Sequence, residues 1–254
     1  MKDVYKYREF LKTSIVKEFR GKYKKSFLGV LWSFINPLLQ LLIYTLVFST
    51  IMRADIDHFT VFLVVALIPW NFFNTTIVSA ASCIVNNSSI LKKIYFPREI
   101  LPISIVTSNL INFLISSIIV VIALIISGIG LSWYIIFIPF IIIIQYIFSL
   151  ALSFFISAIT VYIRDLEYFI NVLMMLWFYL CPIVYSAELI PKQYEKIFNL
   201  NPMLHLINSY RDVLYYQSLP RIKSLLILFV VSSLFLILGY KTFKNLEKRF
   251  VEEL

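Results

Sequence analysis

The side chains able to do chemistry in this chain are sparse and poorly set for catalysis. Its two histidines, His58 and His205, are not accompanied by any Ser/His/Asp grouping. Two cysteines, Cys83 and Cys181, sit in no metal-ligand spacing and read as small buried hydrophobes near opposite faces of a membrane. The five glycines (Gly21, Gly29, Gly128, Gly130 and Gly239) form no G-x-x-x-x-G-K-[ST] phosphate loop. Inside the long apolar runs the polar groups are amides and hydroxyls: Asn36, Gln40, Asn109, Asn112, Gln145 and Asn171, with several Ser and Thr. No Asp, Glu, Lys, Arg or His falls in the run interiors. General acid–base catalysis needs a titratable group, and ion-coupled transport usually places one at mid-membrane. Neither has its residues here. If the protein performs work, the energy comes from another chain.

The apolar runs themselves define the class. Of 254 residues, 60% are hydrophobic and 15% charged, against roughly 25% charged in ordinary soluble domains. Such a chain is expected to be an all-α integral membrane protein. The net charge of +9 has no groove-reading helix or aromatic RNA motif beside it, so nucleic acid is not a predicted partner. Basic residues flanking membrane spans account for it. Six spans are predicted, at about 27–52 with Pro37 inside, 59–83, 100–127, 133–162, 168–184 and 222–243. Each is near or above the ~20 residues that cross a ~30 Å core, the fifth being marginal. On that topology 17 of the 23 Lys and Arg lie on the side of both termini and six on the other. The positive-inside rule then makes the termini cytoplasmic. Residues 1–26 lack the apolar core of a cleavable signal.

Three segments stand apart from the spans. Residues 4–20 place Val4, Tyr7, Leu11, Ile15 and Phe19 on one face, predicting an amphipathic helix in the cytoplasmic interface. Arg20, Lys22, Lys24 and Lys25 form a basic collar after it. Beyond the polar tip Arg53-Ala54-Asp55-Ile56-Asp57-His58 and the second span comes an island over residues 87–102. Ser88 or Ser89 can cap a helix starting at Ile90 and Leu91, which Pro97 limits to about two turns. Too charged to span and too apolar to be a plain loop, it either lies on lipid or docks in a groove of another protein. Residues 185–221 carry too much charge for a span. There Asn201 caps and Pro202 opens a second amphipathic helix, with Met203, Leu206, Ile207, Tyr210, Val213 and Leu214 as its stripe. Two short helices tucked into the outer face are expected.

The order of several motifs resembles a known family. They are Leu28-Gly29-Val30-Leu31-Trp32 with Pro37, Leu91-Lys92-Lys93-Ile94-Tyr95-Phe96-Pro97-Arg98-Glu99, Tyr162-Ile163-Arg164-Asp165-Leu166, Cys181-Pro182-Ile183 with Tyr185, and Asn201-Pro202 followed by Tyr210-Arg211. Together they resemble the permease subunit of a type-2 ABC exporter, in the branch that exports lipid-linked polysaccharides such as O-antigen, capsule or teichoic acid. A related permease for a drug or small lipid, a non-transporting membrane scaffold and an ATP-independent channel are the alternatives.

The resemblance implies a single permease domain over 1–254 in a bacterial cytoplasmic (inner) membrane, with both termini cytoplasmic. Two copies would form one channel above two ATP-binding-cassette subunits. ATP and Mg would be bound there and no cofactor in this chain. The island would be the coupling helix, over 88–97, with Ile90, Leu91, Lys92, Lys93, Ile94, Tyr95, Phe96 and Arg98 at the joint. The outer helices would form a gate that includes Asn201, Pro202, Tyr210 and Arg211. A glycan-conducting lining stacks aromatic faces on sugar C–H faces and exchanges weak hydrogen bonds. Tyr44 and Phe48, one turn apart, and Trp177 and Tyr185 are candidates, although each could equally face lipid. Arg20, Lys24, Lys25 and Arg164 are candidates for a lipid-pyrophosphate entrance.

Overall fold

The computed structural model describes residues 5–24, 26–51 and 56–253. Val4, Lys25 and the tip residues Arg53, Ala54 and Asp55 lie outside them. The helices, in chain order, are α1 (Arg8–Gly21), α2 (Trp32–Thr45), α3 (Phe59–Asn86), α4 (Ser88–Leu91), α5 (Ile100–Ile126), α6 (Ile138–Tyr162), α7 (Leu166–Tyr179), α8 (Glu195–Phe198), α9 (Pro202–Leu214), α10 (Ile222–Leu246) and α11 (Phe250–Glu253). Five stretches are long and apolar enough to cross a membrane: Gly29–Ser49, Phe59–Asn86, Ile100–Ile126, Trp133–Tyr162 and Ile222–Arg249. The expected fifth span differs. α7 is helical for 14 residues, about 21 Å, because Pro182 disfavours helix in the residue before it and removes a backbone donor.

Cross-contacts order the two ends of the bundle. Lys244 near the end of α10 meets Glu99 before α5 at 2.8 Å, and Tyr162 at the end of α6 donates to the Leu246 carbonyl at 2.8 Å. Both therefore share the island end. At the far end, Arg211 of α9 donates to the Phe62 carbonyl at 3.4 Å, and Gln217 donates to the Ile129 carbonyl at 2.6 Å. The chain passes between these ends along α7 and the irregular residues after it. α3 is the central post. Its most apolar stretch is 78% buried against 17–33% in the other four long stretches, so it is apolar around most of its circumference, the face that carries Asn71, Asn74 and Thr75 excepted.

Three local features hold this packing. Pro37 cannot donate to the Ser33 carbonyl four residues back. Ser116 Oγ of α5 donates to that carbonyl instead, at 2.8 Å. Gly239 lets α10 approach α6 closely. A Cβ there would stand 2.7 Å from the Ala151 carbonyl oxygen and 3.1 Å from the Phe155 ring. Small residues at membrane helix contacts serve this purpose. Arg211, 2% exposed, donates to the Ile183 carbonyl at 2.7 Å and to the Pro182 carbonyl. Its guanidinium carbon lies 3.4 Å from the Phe62 ring centroid. Asn201 caps α9 by accepting from Met203 N at 3.1 Å, and its Nδ2 donates to the Leu180 carbonyl at 3.1 Å. Between them, Arg211 and Asn201 satisfy the Leu180, Pro182 and Ile183 carbonyls, which the break after α7 leaves without helical partners.

The island is shorter than expected. α4 is one turn, Ser88–Leu91, with Asn87 at the N-cap position in place of Ser88 or Ser89 and no side-chain capping bond. Asn87 Nδ2 donates back to the Cys83 carbonyl at 2.9 Å, and Pro97 disfavours helix at the residue before it. α1 packs along α5 and this island. Phe10 and Phe96 have ring centroids 4.7 Å apart, and Lys17 Nζ donates to Asn87 Oδ1 at 3.1 Å.

Two substitutions test this framework. Gly239→Val should force α6 and α10 apart and cost about 1–3 kcal/mol, read as lower thermal stability of the detergent-solubilised protein. Arg211→Lys keeps the charge but loses the planar fork over three carbonyls. Its expected cost is about 2–4 kcal/mol, and a melting temperature equal to wild type would contradict the bracing role.

Candidate functional site

Polar residues on three helices recur at helical spacing and therefore share faces. α2 presents Ser33, Asn36, Gln40 and Tyr44, α3 presents Asn71, Asn74 and Thr75, and α5 presents Asn109, Asn112 and Ser116. These faces, Tyr44 apart, converge on a cavity of about 540 Å³. A second cavity of about 400 Å³ shares Gln40, Asn71, Asn74, Thr75 and Ser79 with it, and extends to Tyr44, Trp70, Phe178 and Tyr179. The two make one groove, rich in amides and hydroxyls toward α5 and in aromatics toward α7.

Apart from Lys22 at one end, the groove is lined by uncharged side chains. Among the described residues, no Asp or Glu lines either cavity. Tyr23 and Ser33 hydroxyls lie 2.5 Å apart and both donate to Asn112 Oδ1, at 2.6 and 2.5 Å. Asn71 Nδ2 donates to Gln40 Oε1 at 2.8 Å. Asn109 Nδ2 is buried with no partner among the described residues. In the aromatic half, Tyr44 stacks on Phe178 with centroids 5.6 Å apart, and Trp70 meets the same ring edge-on at 5.8 Å. No group of three or more His, Cys, Asp or Glu among the described residues could hold a metal.

One cation stands at the groove's α1 end. Lys22, just after α1, is an exposed residue whose ammonium reaches inward and donates to Asn109 Oδ1. Burial of that ammonium lowers its pKa to about 8, with Glu18 opposing the shift. The site thus offers neutral hydrogen-bonding groups and aromatic faces to a polyhydroxylated ligand, and one desolvated ammonium to an anion.

The residues singled out from sequence are distributed unevenly around this groove. Tyr44 lines it. Phe48 stands beside Tyr44 at 6.4 Å and packs on the core. Trp177 and Tyr185 are outside the lining. The indole N–H of Trp177 is held by Asn201 Oδ1 at 3.0 Å and its ring packs on Phe73, while the Tyr185 hydroxyl donates to the Tyr179 carbonyl at 2.9 Å. Arg20, Lys24 and Arg164 are exposed and line neither cavity. Lys25 lies outside the described residues. Lys22 reads from sequence as part of the collar but not of the entrance. Asn71, Asn74 and Thr75 escape the sequence reading altogether, although amides at helical spacing inside an apolar run are a signal in themselves.

The far-end and island residues also have defined places. Pro202 is the first residue of α9, and the Tyr210 hydroxyl donates to Gln145 Oε1 at 2.8 Å. With Asn201 and Arg211 they fasten α9 into the bundle. On the island, Leu91 and Phe96 are buried within the chain and Ile90 is half-buried. Arg98 is turned inward, donating to the Glu247 carbonyl. A packed anchor for another protein at Phe96 is therefore not available, since the ring is already enclosed. Lys92, Lys93, Ile94 (60% exposed) and Tyr95 (88% exposed) remain on the surface.

Comparison with known proteins gives a consistent result. Residues 9–215 match the family model described as ABC-2 type transporter. The O-antigen export system permease protein RfbA of Myxococcus xanthus is 34% identical over 256 residues, covering 100% of this chain and 98% of that protein. A protein of the same name from Klebsiella pneumoniae is 35% identical over 238 residues, covering 93% of this chain and 91% of the relative. Matched along most of its length by the family model and over nine-tenths or more of its length by such relatives, this chain belongs to the ABC-2 type transporter family.

Proposed function

We propose that this chain is the permease subunit of an ATP-driven exporter that moves a lipid-linked polysaccharide, of O-antigen, capsule or teichoic-acid type, outward across the bacterial cytoplasmic membrane. The observation that carries the reading is the neutral, amide-lined groove with aromatics at one end and Lys22 at the other. Sugar hydroxyls both donate and accept, as amides do, and each exchange is worth only about 0.5–1.5 kcal/mol net. Such a lining holds a polymer without arresting it. Aromatic faces stack on the apolar faces of sugar rings. Lys22 suits the pyrophosphate of a lipid carrier at the cytoplasmic entrance. The names of the relatives agree with this substrate class.

In this reading the membrane is crossed six times, α7 and the irregular residues after it making the fifth passage, with both termini and the island in the cytoplasm. α2 and α7 also expose the apolar residues Leu38, Leu42, Phe169, Val172 and Leu176, and a second copy packing against these helices completes the channel. α9 and the short helix before it act as an outer gate. The island is the coupling segment, seated on a separate ATPase subunit that binds ATP and Mg, with Lys92, Lys93, Ile94 and Tyr95 as its contact surface.

Two experiments on the complex reconstituted with its ATPase test this reading. The double variant Asn71→Leu/Asn74→Leu removes polar groups from the groove at similar volume. It should lower glycan-lipid-stimulated hydrolysis about tenfold, equivalent to about 1.4 kcal/mol; undiminished stimulation would remove the groove from the transport path. The second follows from Lys22. A bound anion favours the ammonium and raises its pKa above the free-site value of about 8, so above that pH binding takes up a proton. Affinity for a polyprenyl-pyrophosphate probe should therefore fall as pH rises past about 8, by at most about tenfold per unit. Lys22→Arg should abolish that decline, because guanidinium stays charged.

A further inference from the structure

The island is tied to the last helix by a buried charge cluster that the reading above does not use. Glu99, immediately before α5, is 0% exposed. Its Oε2 accepts from Lys244 Nζ at 2.8 Å, and its Oε1 accepts from the Tyr240 hydroxyl at 3.3 Å. Lys244 also meets Glu247 Oε1 at 2.9 Å. Next to it, Arg98 donates to the Glu247 carbonyl and lies 5.9 Å from the Phe250 ring centroid. Among the described residues, Glu99–Lys244 is the one ion pair with a fully buried carboxylate.

A buried carboxylate is strongly disfavoured unless it is paired, so the cluster resists separation. Its location gives that resistance a direction. Arg98 and Glu99 directly follow the exposed Lys92–Tyr95 surface, with Pro97 stiffening the link. Lys244 and Glu247 sit at the end of α10, whose other end begins near α9 at the far end of the bundle. Close packing at Gly239 keeps α10 seated on α6. A displacement of the island is thus passed to α10 as well as to α5, which follows it in sequence.

We infer that Glu99 and Lys244 are positioning residues that transmit movement of the island to α10, and so to the far end of the bundle. The inference rests on the island being the joint with an ATPase. A purely structural staple would leave the stoichiometry of export unchanged, which separates the two roles.

The test measures polysaccharide exported per ATP hydrolysed by the complex in proteoliposomes. Glu99→Gln/Lys244→Met removes the pair without leaving Glu99 charged and unpaired. It should assemble with the ATPase and hydrolyse ATP, while export per ATP falls about fivefold or more. The exchanged pair Glu99→Lys/Lys244→Glu should restore the ratio. A wild-type ratio in the neutral double variant overturns the inference, as does failure of the exchanged pair to recover it. Cross-linking of Tyr95→Cys to the ATPase tests the island reading separately. Absence of a cross-link there removes the joint itself, whatever the ratio.

Discussion

Backbone that leaves the helical ladder inside an apolar bundle has to find its hydrogen bonds elsewhere, and this structure depends on one side chain to supply many of them. The guanidinium of Arg211 spans the carbonyls of Phe62, Pro182 and Ile183 and rests on the Phe62 ring. No carboxylate accompanies it in these contacts. Arginine tolerates this because its charge is delocalised, weakly hydrated and presented as a flat fork. With Asn201 holding the Leu180 carbonyl, it lets α7 end after four turns and lets the chain double back into α9. Without that bracing the break after α7 would leave buried carbonyls unpaired.

The groove follows from the same economy of polar groups. Helices in an apolar environment turn polar side chains toward each other or toward a cavity, because lipid offers them nothing. α2, α3 and α5 each carry amides on one face, and their packing brings the faces together. Because the amides are uncharged, the lining stays neutral while remaining wettable. The one ammonium sits at its end, where α1 delivers Lys22 to Asn109. The helix that reads from sequence as a membrane-surface element therefore also completes the mouth of the groove.

Much of the architecture is legible in the sequence. Hydropathy locates the five long crossing helices within a few residues, and Asn201-Pro202 marks the start of α9. The motifs carry the family resemblance. Less legible are α7, whose 14 helical residues fall short of the expected 168–184, and the island, where Asn87 bonds backward and only one turn forms. Both depend on side chains from distant segments: Arg211 and Asn201 for the first, Lys17 and Phe10 for the second.

The candidate site divides along the same line. Amino-acid order alone determined the membrane class, the scarcity of titratable groups in the runs, the basic bias toward the termini and the short basic island bounded by Pro97. These properties are set by local composition, which survives whatever the helices pack against. Tertiary structure decided which groups share a cavity. It placed Asn71 and Asn74 opposite Gln40, chose Lys22 over Arg20 and Lys24, and turned Trp177 and Phe96 inward. Those outcomes depend on the rotation of each helix about its own axis. That rotation is fixed by contacts between residues far apart in the chain, such as Ser116 with the Ser33 carbonyl freed by Pro37.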